Sequence, residues 1–282
     1  MGLTITPLEG AGAEITGIDL KSLEARDFDD IRGAFAEHGV IFFRDQSLSE
    51  RDHIEFAGRW GEININRFFA AHPDHPEIAM VAKYPGDTDN IGGGWHTDHS
   101  YDEEPALGSV LVARELPQTG GDTWFASMYR AYETLPDALR DEIEGLSAVH
   151  SAQHIFGASE TSYYSQSDAG RGRIGNAEAT ETLVDVVHPV VIRHPLSGKK
   201  ALYVNPAFTT GIKGWSAADG QALLHKLFAH VMAGHGFQHR FKWRPGSIAM
   251  WDNRSTWHWA LNDYQGQKRI MHRITIEGCP LS

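Results

Sequence analysis

Trp95-His96-Thr97-Asp98, entered through Gly92-Gly93-Gly94, is the stretch on which the fold turns. In an extended chain successive side chains alternate between faces, so His96 and Asp98 point one way and Trp95, Thr97 and His99 the other. An imidazole beside a carboxylate is the beginning of a divalent-metal site. Two histidines and one carboxylate, with open positions left over, form the ligand set of non-haem Fe(II) oxygenases. Taken alone the tripeptide is weak, because His-x-Asp occurs by chance and a structural pair is the simpler reading. The pair needs strands to hold it, and the apolar run 107–113 just beyond it supplies the first.

Working outward, the spacing predicts short strands over 3–6 and 13–18 and a helix over 27–38, with Phe28, Ile31, Ala34 and Phe35 on one stripe and Gly39 as its stop. Val40-Ile41-Phe42-Phe43 reads as a buried strand. Ser49 with Asp52 forms a capping box for a second helix, whose inward stripe would be Ile54, Ala57 and Trp60. Residues 61–94 are dense in Asp, Pro, Gly and His, and read as loop apart from 78–82, a candidate cover for the His-x-Asp pair. Past the pair come strands over 107–113 and 123–125, two short helices over 127–135 and 136–144, and a polar, Gly-rich excursion over 157–182 that reads as an insertion or lid. Strands follow over 187–194 and 201–204. Ser216 caps the longest helix, which runs to about Gly234, and the last strands are 239–243, 248–251 and 269–276. Many short strands interrupted by helices indicate one barrel-like or sandwich-like domain with insertions over 1–282, not the alternating units of a doubly wound sheet.

Composition narrows the function. The chain has 282 residues, 41% hydrophobic, enough for a substantial core. Its formal charge of -12 argues against nucleic acid as a partner, although a few buried arginines can still dominate a pocket. No run approaches the roughly 18 apolar residues of a membrane span, and the start shows neither a basic nor an apolar leader segment. The single cysteine, Cys279, can neither staple a domain nor build a thiolate metal site. A cytoplasmic protein without a membrane partner is the expectation. No phosphate loop, dinucleotide fingerprint or zincin motif is present.

The C-terminal third contains Trp251-Asp252-Asn253-Arg254-Ser255-Thr256-Trp257-His258, Ala260-Leu261-Asn262-Asp263-Tyr264 and Arg269-Ile270-Met271-His272-Arg273. Together with Glu37-His38-Gly39-Val40-Ile41-Phe42-Phe43-Arg44-Asp45-Gln46, Trp95-His96-Thr97-Asp98, Glu115-Leu116-Pro117 and Thr119-Gly120-Gly121-Asp122-Thr123, these stretches resemble the Fe(II)/2-oxoglutarate-dependent dioxygenases typified by taurine dioxygenase and 2,4-dichlorophenoxyacetate dioxygenase. The resemblance runs in order along nearly the whole chain. It implies a mainly β fold with flanking helices around a double-stranded β-helix, the jelly-roll or cupin-like core. It implies iron ligands at His96, Asp98 and His258, with 2-oxoglutarate and dioxygen as cosubstrates. It also maps the distal carboxylate of 2-oxoglutarate onto Arg269, assisted by the hydroxyl of Thr123. A guanidinium fork suits a carboxylate. Arg269, Met271 and Arg273 share a strand face, so both arginines look into the barrel.

The prime substrate is less constrained. Arg273 matches the family's sulfonate-binding arginine, which implies a small organic anion. The other taurine contacts of the family differ: by register Asn66 and Phe69 stand where the taurine enzyme has His and Tyr, and Gly92 where it has Asn. With Phe68, Phe69 and Tyr101 the pocket would be more apolar, favouring an aryloxyalkanoate, an alkyl sulfate or another carboxylate or sulfonate, hydroxylated with release of succinate and CO2. A taurine-type sulfonate dioxygenase is the alternative, and from another class a metal-binding protein or metal-dependent hydrolase of the same fold. A homodimer or homotetramer is left open. Asp252 and Arg254 are expected to pair structurally, Trp257 and Trp259 to pack away from the metal, and His38, His99, His150 and His272 to be structural.

Overall fold

The computed structural model describes residues 2–157, 159, 162, 163, 183–234 and 236–281. The chain opens with the antiparallel pair β1 (Thr4–Pro7) and β2 (Ala13–Thr16), then α1 (Ala25–His38), whose buried residues Phe28, Ile31, Ala34 and Phe35 are the stripe expected from sequence. Gly39 ends α1 in the left-handed region (φ 73) and donates its N–H to the Phe35 carbonyl at 2.9 Å. Its own carbonyl accepts from Asp252 N at 2.7 Å and from Thr256 Oγ1 at 2.9 Å, tying the helix end to the segment that leads to His258.

Among the described residues the main sheet has nine strands. Its heart runs from β3 (Val40–Phe43) through β15 (Ile248–Asp252), β7 (Gly108–Glu115) and β17 (Arg269–Ile276) to β6 (His75–Lys83), all pairing antiparallel. Both faces of β3 are covered, which explains its unbroken apolar sequence. Ile41 and Phe43 join the layer beneath α1 and α2 (Glu50–Gly58), while Val40 and Phe42 enter the barrel. A second sheet of β14 (Gln238–Phe241), β8 (Thr123–Ser127) and β16 (Thr256–Ala260) closes the barrel from the other side. Phe42 bridges the two sheets, stacking on Phe241 at 4.2 Å and meeting Phe125 edge-on at 5.3 Å. The architecture is the double-stranded β-helix with flanking helices. Outside it, α3 (Met128–Glu133) and α4 (Ala217–Met232), capped by Ser216, pack a separate apolar layer that includes Leu224, Leu227 and Trp257.

Several expectations shift. Within 61–94 the structure has β4 (Ile63–Asn64), β5 (Ala71–His72) and a β6 that begins at His75, because β17 offers partners to β4 and β6 that local sequence does not advertise. The capping box on α2 is present, but His53, Phe56 and Ala57 form its buried side, with His53 Nε2 bonded to the Val110 carbonyl at 3.2 Å. The strand expected over 187–194 is two, β10 (Val186–Pro189) and β11 (Val191–Arg193), paired with β9 (Ser147–His150) and β12 (Lys200–Leu202) respectively. The excursion 157–182 lies outside the described residues except Gly157, Ser159, Ser162 and Tyr163. Among the described residues no helix is long and apolar enough to cross a membrane.

Candidate active site

His96 and Asp98 come together. His96 makes an isolated bridge to His258, with His96 N donating to the His258 carbonyl at 3.1 Å and His258 N to the His96 carbonyl at 2.8 Å. Thr97 Oγ1 turns away and donates to the Asn253 carbonyl at 2.5 Å, and the chain then turns over 98–101, with His99 at φ 59. His258 itself sits in the middle of β16, opposite Phe125 of β8, so the bridge makes residue 96 a continuation of the second sheet.

One ligand atom from each of His96, Asp98 and His258 lies within 4.8 Å of the others. Asp98 Oδ1 is 3.7 Å from His96 Nε2, and Oδ2 is 3.6 Å from His258 Nε2. A carbonyl only accepts, so the 2.8 Å contact of His96 Nδ1 with Gly94 O puts the proton on Nδ1 and leaves the Nε2 lone pair for a metal. Burial, then the neighbouring His96, holds the His258 imidazole well below its usual range, in the neutral form that ligates. Burial would raise the Asp98 carboxyl, but Arg273, His258 and His96 outweigh it and keep it well below the carboxylate range. Two imidazoles and one carboxylate facing a common point fit Fe(II).

The triad opens on a cavity of about 420 Å³ that Thr123, Arg269 and Arg273 also line. Arg269, buried at 4% exposure, has Nε and Nη2 without any hydrogen-bond partner. The Thr119-Gly120-Gly121-Asp122 turn makes room for it. Gly121 sits at φ 72, and a Cβ there would stand 3.1 Å from Arg269 Cδ. Thr123 Oγ1 accepts from Trp243 Nε1 at 3.0 Å. Arg273 Nη1 donates to Asp98 Oδ2 at 3.0 Å, its guanidinium lies 4.5 Å from the Phe69 ring centre, and its Nε is buried and unpartnered.

The remaining wall is aromatic: Phe69, Tyr101, Phe156 and Phe208 line the cavity, and Phe68 stacks behind on Phe156 at 4.2 Å. Of the substrate positions expected from sequence, Phe69, Tyr101 and Arg273 line the cavity, whereas Asn66 is not among its lining residues. The Asn66 Oδ1 accepts from the Phe68 and Phe69 amides at 2.9 Å each, an Asx turn that shapes the loop. Arg67 Nη2 then bonds Asp102 Oδ1 at 2.5 Å, and Asp102 Oδ2 bonds His99 Nδ1 at 2.8 Å, fastening that loop to the turn that bears Asp98. Phe156, at the end of the one-turn helix Gln153–Phe156, and Phe208 and Trp243, outside helices and strands, escape sequence reading because lone aromatics carry no period. Gly92, at φ 77, lies over the metal end, where a Cβ would stand 3.1 Å from His96 Cε1.

Asp252 and Arg254 pair as expected. Arg254 forks onto Asp252 at 2.8 and 2.6 Å, and His194 Nε2 donates to the same carboxylate at 2.9 Å. Trp257 Nε1 donates to the Val204 carbonyl at 2.8 Å. Glu50, His72 and His272 also converge, on the outer side of β17. There Arg114 Nε donates to His272 Nδ1 at 3.0 Å and its Nη2 lies 3.7 Å from Glu50, so a cation already occupies the cluster.

Comparison with known proteins agrees with this geometry. Residues 4–275 match the family described as taurine catabolism dioxygenase TauD, TfdA. An alpha-ketoglutarate-dependent sulfate ester dioxygenase of Pseudomonas putida is 35% identical, over 98% of this chain and 90% of its own length. An alkylsulfatase of Acinetobacter baylyi is likewise 35% identical, over 95% of this chain and 82% of its own. The crystal structure of a taurine dioxygenase from Burkholderia xenovorans superposes with a TM-score of 0.79 at 31% identity, covering 98% of this chain and 91% of that one. Sequence, fold and the two-histidine, one-carboxylate site converge, and this chain belongs to the TauD/TfdA family of non-haem Fe(II), 2-oxoglutarate-dependent dioxygenases.

Proposed function

We propose that His96, Asp98 and His258 hold the iron, that Arg269 and Thr123 receive the distal carboxylate of 2-oxoglutarate, and that the prime substrate is a small organic anion with an apolar body. An alkyl sulfate ester is the best candidate and an aryloxyalkanoate the next. The observation that carries this reading is Arg269: a buried guanidinium with two unpartnered donors, in the same cavity as the triad, calls for an anion. When bound, the iron with 2-oxoglutarate and dioxygen supplies the oxidising power, with succinate and CO2 released.

The chain's own residues bind and orient. The Arg269 fork fixes the cosubstrate at one end. Arg273 faces the substrate anion with the guanidinium edge that Asp98 does not use, while its bond to Oδ2 keeps the Asp98 carboxylate oriented. The rings of Phe69, Tyr101 and Phe208 exclude water and hold the apolar body. Asp98 fills the ligand position that a halide would need, which favours hydroxylation over halogenation. Hydroxylation at a carbon bonded to an ester or ether oxygen gives a product that falls apart to a carbonyl compound.

Support for a sulfate ester over taurine comes from two sides. The relatives at 35% identity bear names for sulfate-ester chemistry. Among the described residues lining the cavity, Asp98 is the sole carboxylate, and Arg273 engages it, so an amine would find no acid partner. The test is a panel of alkyl sulfates, aryloxyalkanoates, sulfonates and taurine, read by substrate-dependent succinate formation with Fe(II). Alkyl sulfates should lead. Taurine leading by far would overturn the substrate reading, and activity confined to uncharged compounds, untouched by Arg273→Ala, would remove the anion.

A further inference from the structure

Trp243 follows β14 at the cosubstrate end of the cavity. Its indole meets Phe241 edge-on at 4.9 Å, and Phe241 is itself stacked in the barrel core on Phe42, so the ring is held from behind. From this fixed position it reaches both residues assigned above to the distal carboxylate. Its Nε1–H donates to Thr123 Oγ1 at 3.0 Å, and its ring centre lies 5.8 Å from the Arg269 guanidinium carbon.

The hydrogen bond has a direction, and the direction has a consequence. Indole N–H can only donate, so the Thr123 oxygen is the acceptor. A hydroxyl has a single proton and two lone pairs. With one lone pair held by Trp243, the threonine proton is left to point elsewhere, and Thr123 is 3% exposed and lines the cavity. Arg269 Nε and Nη2 are unpartnered in that cavity as well. Three N–H or O–H donors beside one indole are thus left for an anion in this cavity, and the polarity of one of them is set by that indole.

We propose that Trp243 is a positioning residue for 2-oxoglutarate: its N–H commits the Thr123 hydroxyl to donate toward the distal carboxylate, and its ring flanks Arg269. This rests on the assignment of Thr123 and Arg269 to the cosubstrate. A packing role alone would be filled by phenylalanine, which keeps the ring against Phe241 and removes only the donor.

The experiment is anaerobic calorimetric titration of 2-oxoglutarate into Mn(II)-loaded protein, for wild type, Trp243→Phe, Thr123→Val and the double variant. Trp243→Phe should weaken 2-oxoglutarate by about threefold to tenfold, the range of one neutral hydrogen bond. Mn(II) affinity and the half-saturating concentration of the prime substrate should stay at wild-type values. Because Trp243 works through Thr123, the double variant should bind no more weakly than Thr123→Val alone. Thr123→Ser, which keeps the hydroxyl, should retain the response to Trp243→Phe and serves as the second route if Thr123→Val does not fold. Wild-type binding by Trp243→Phe with weakened binding by Thr123→Val overturns the proposal and leaves the site assignment standing. Wild-type binding by both variants overturns the assignment of Thr123 and the proposal with it. Additive losses in the double variant overturn the route through Thr123.

Discussion

Replacing Arg269 by lysine keeps the charge in the cavity and removes the planar fork. The side chain emerges from β17 under the Gly121 turn, where the space is cut to a guanidinium stem: a Cβ on Gly121 would stand 3.1 Å from Cδ and 3.2 Å from Nε. Lysine passes through the same gap without a clash, so the fold should survive. The ammonium is a point donor, however, and cannot present the two parallel N–H groups that Nε and Nη2 leave free in the native site. Losing one charge-assisted hydrogen bond costs about 1.5–3 kcal/mol, or roughly tenfold to a hundredfold in the dissociation constant of 2-oxoglutarate. The assay is the 2-oxoglutarate dependence of succinate formation at saturating prime substrate, paired with the converse titration. The apparent constant for 2-oxoglutarate should rise by that factor, with the constant for the prime substrate within about twofold. An unchanged 2-oxoglutarate constant would show that its distal carboxylate is held elsewhere. An equal rise in both constants would show general damage to the pocket and refute the division of labour between Arg269 and Arg273.

His96→Ala and His258→Ala should each abolish turnover and lower the iron bound after gel filtration, while melting temperatures stay near wild type. Turnover near wild type in either variant, at matched iron, would exclude that residue from the metal site. Asp252→Ala strands Arg254, which is 2% exposed, without its carboxylate; it should destabilise the fold by about 3–5 kcal/mol in urea titrations, and a loss below about 1 kcal/mol would contradict a buried ion pair. His53 and His150 are held at pKa values of about 3 by burial, far below the ordinary 6.5. The unfolded chain takes up their protons as pH falls through 6.5 and the folded chain does not, so stability is full above that pH and is lost towards pH 3. Each should cost about 2 kcal/mol by about pH 5, and His150→Gln should flatten the pH dependence of denaturant midpoints in that window.

Sequence reading succeeds where one segment carries its own cause. The stripe of α1, the caps at Ser49 and Ser216, and the two-sided burial of β3 and β17 are all written in local spacing. It falters where a partner far along the chain does the organising. β4 and β5 have two residues each and exist because β17 and β6 pair with them, and β9 is defined by β10 and β13 (Thr209–Ile212) on either side. The site shows the same division. Its charged residues stand in motifs, but the Asx turn at Asn66 is a single local bond without a period, and the indole of Trp243 is placed by its bond to Thr123, far off in sequence.

The glycine at position 92 limits how this pocket can change. Its backbone is left-handed, and any side chain there would press on the ring of His96. A polar handle gained at that wall therefore asks the His96 ring to give by a few tenths of an ångström, and asparagine, which tolerates the left-handed backbone, is the side chain that fits there with least strain. The other wall open to selection, or to an engineer, is Phe208, which meets Tyr101 edge-on at 4.6 Å; Tyr101 itself stacks on His99 beside Asp98, so an exchange at Tyr101 reaches the metal end and one at Phe208 stands a ring further off.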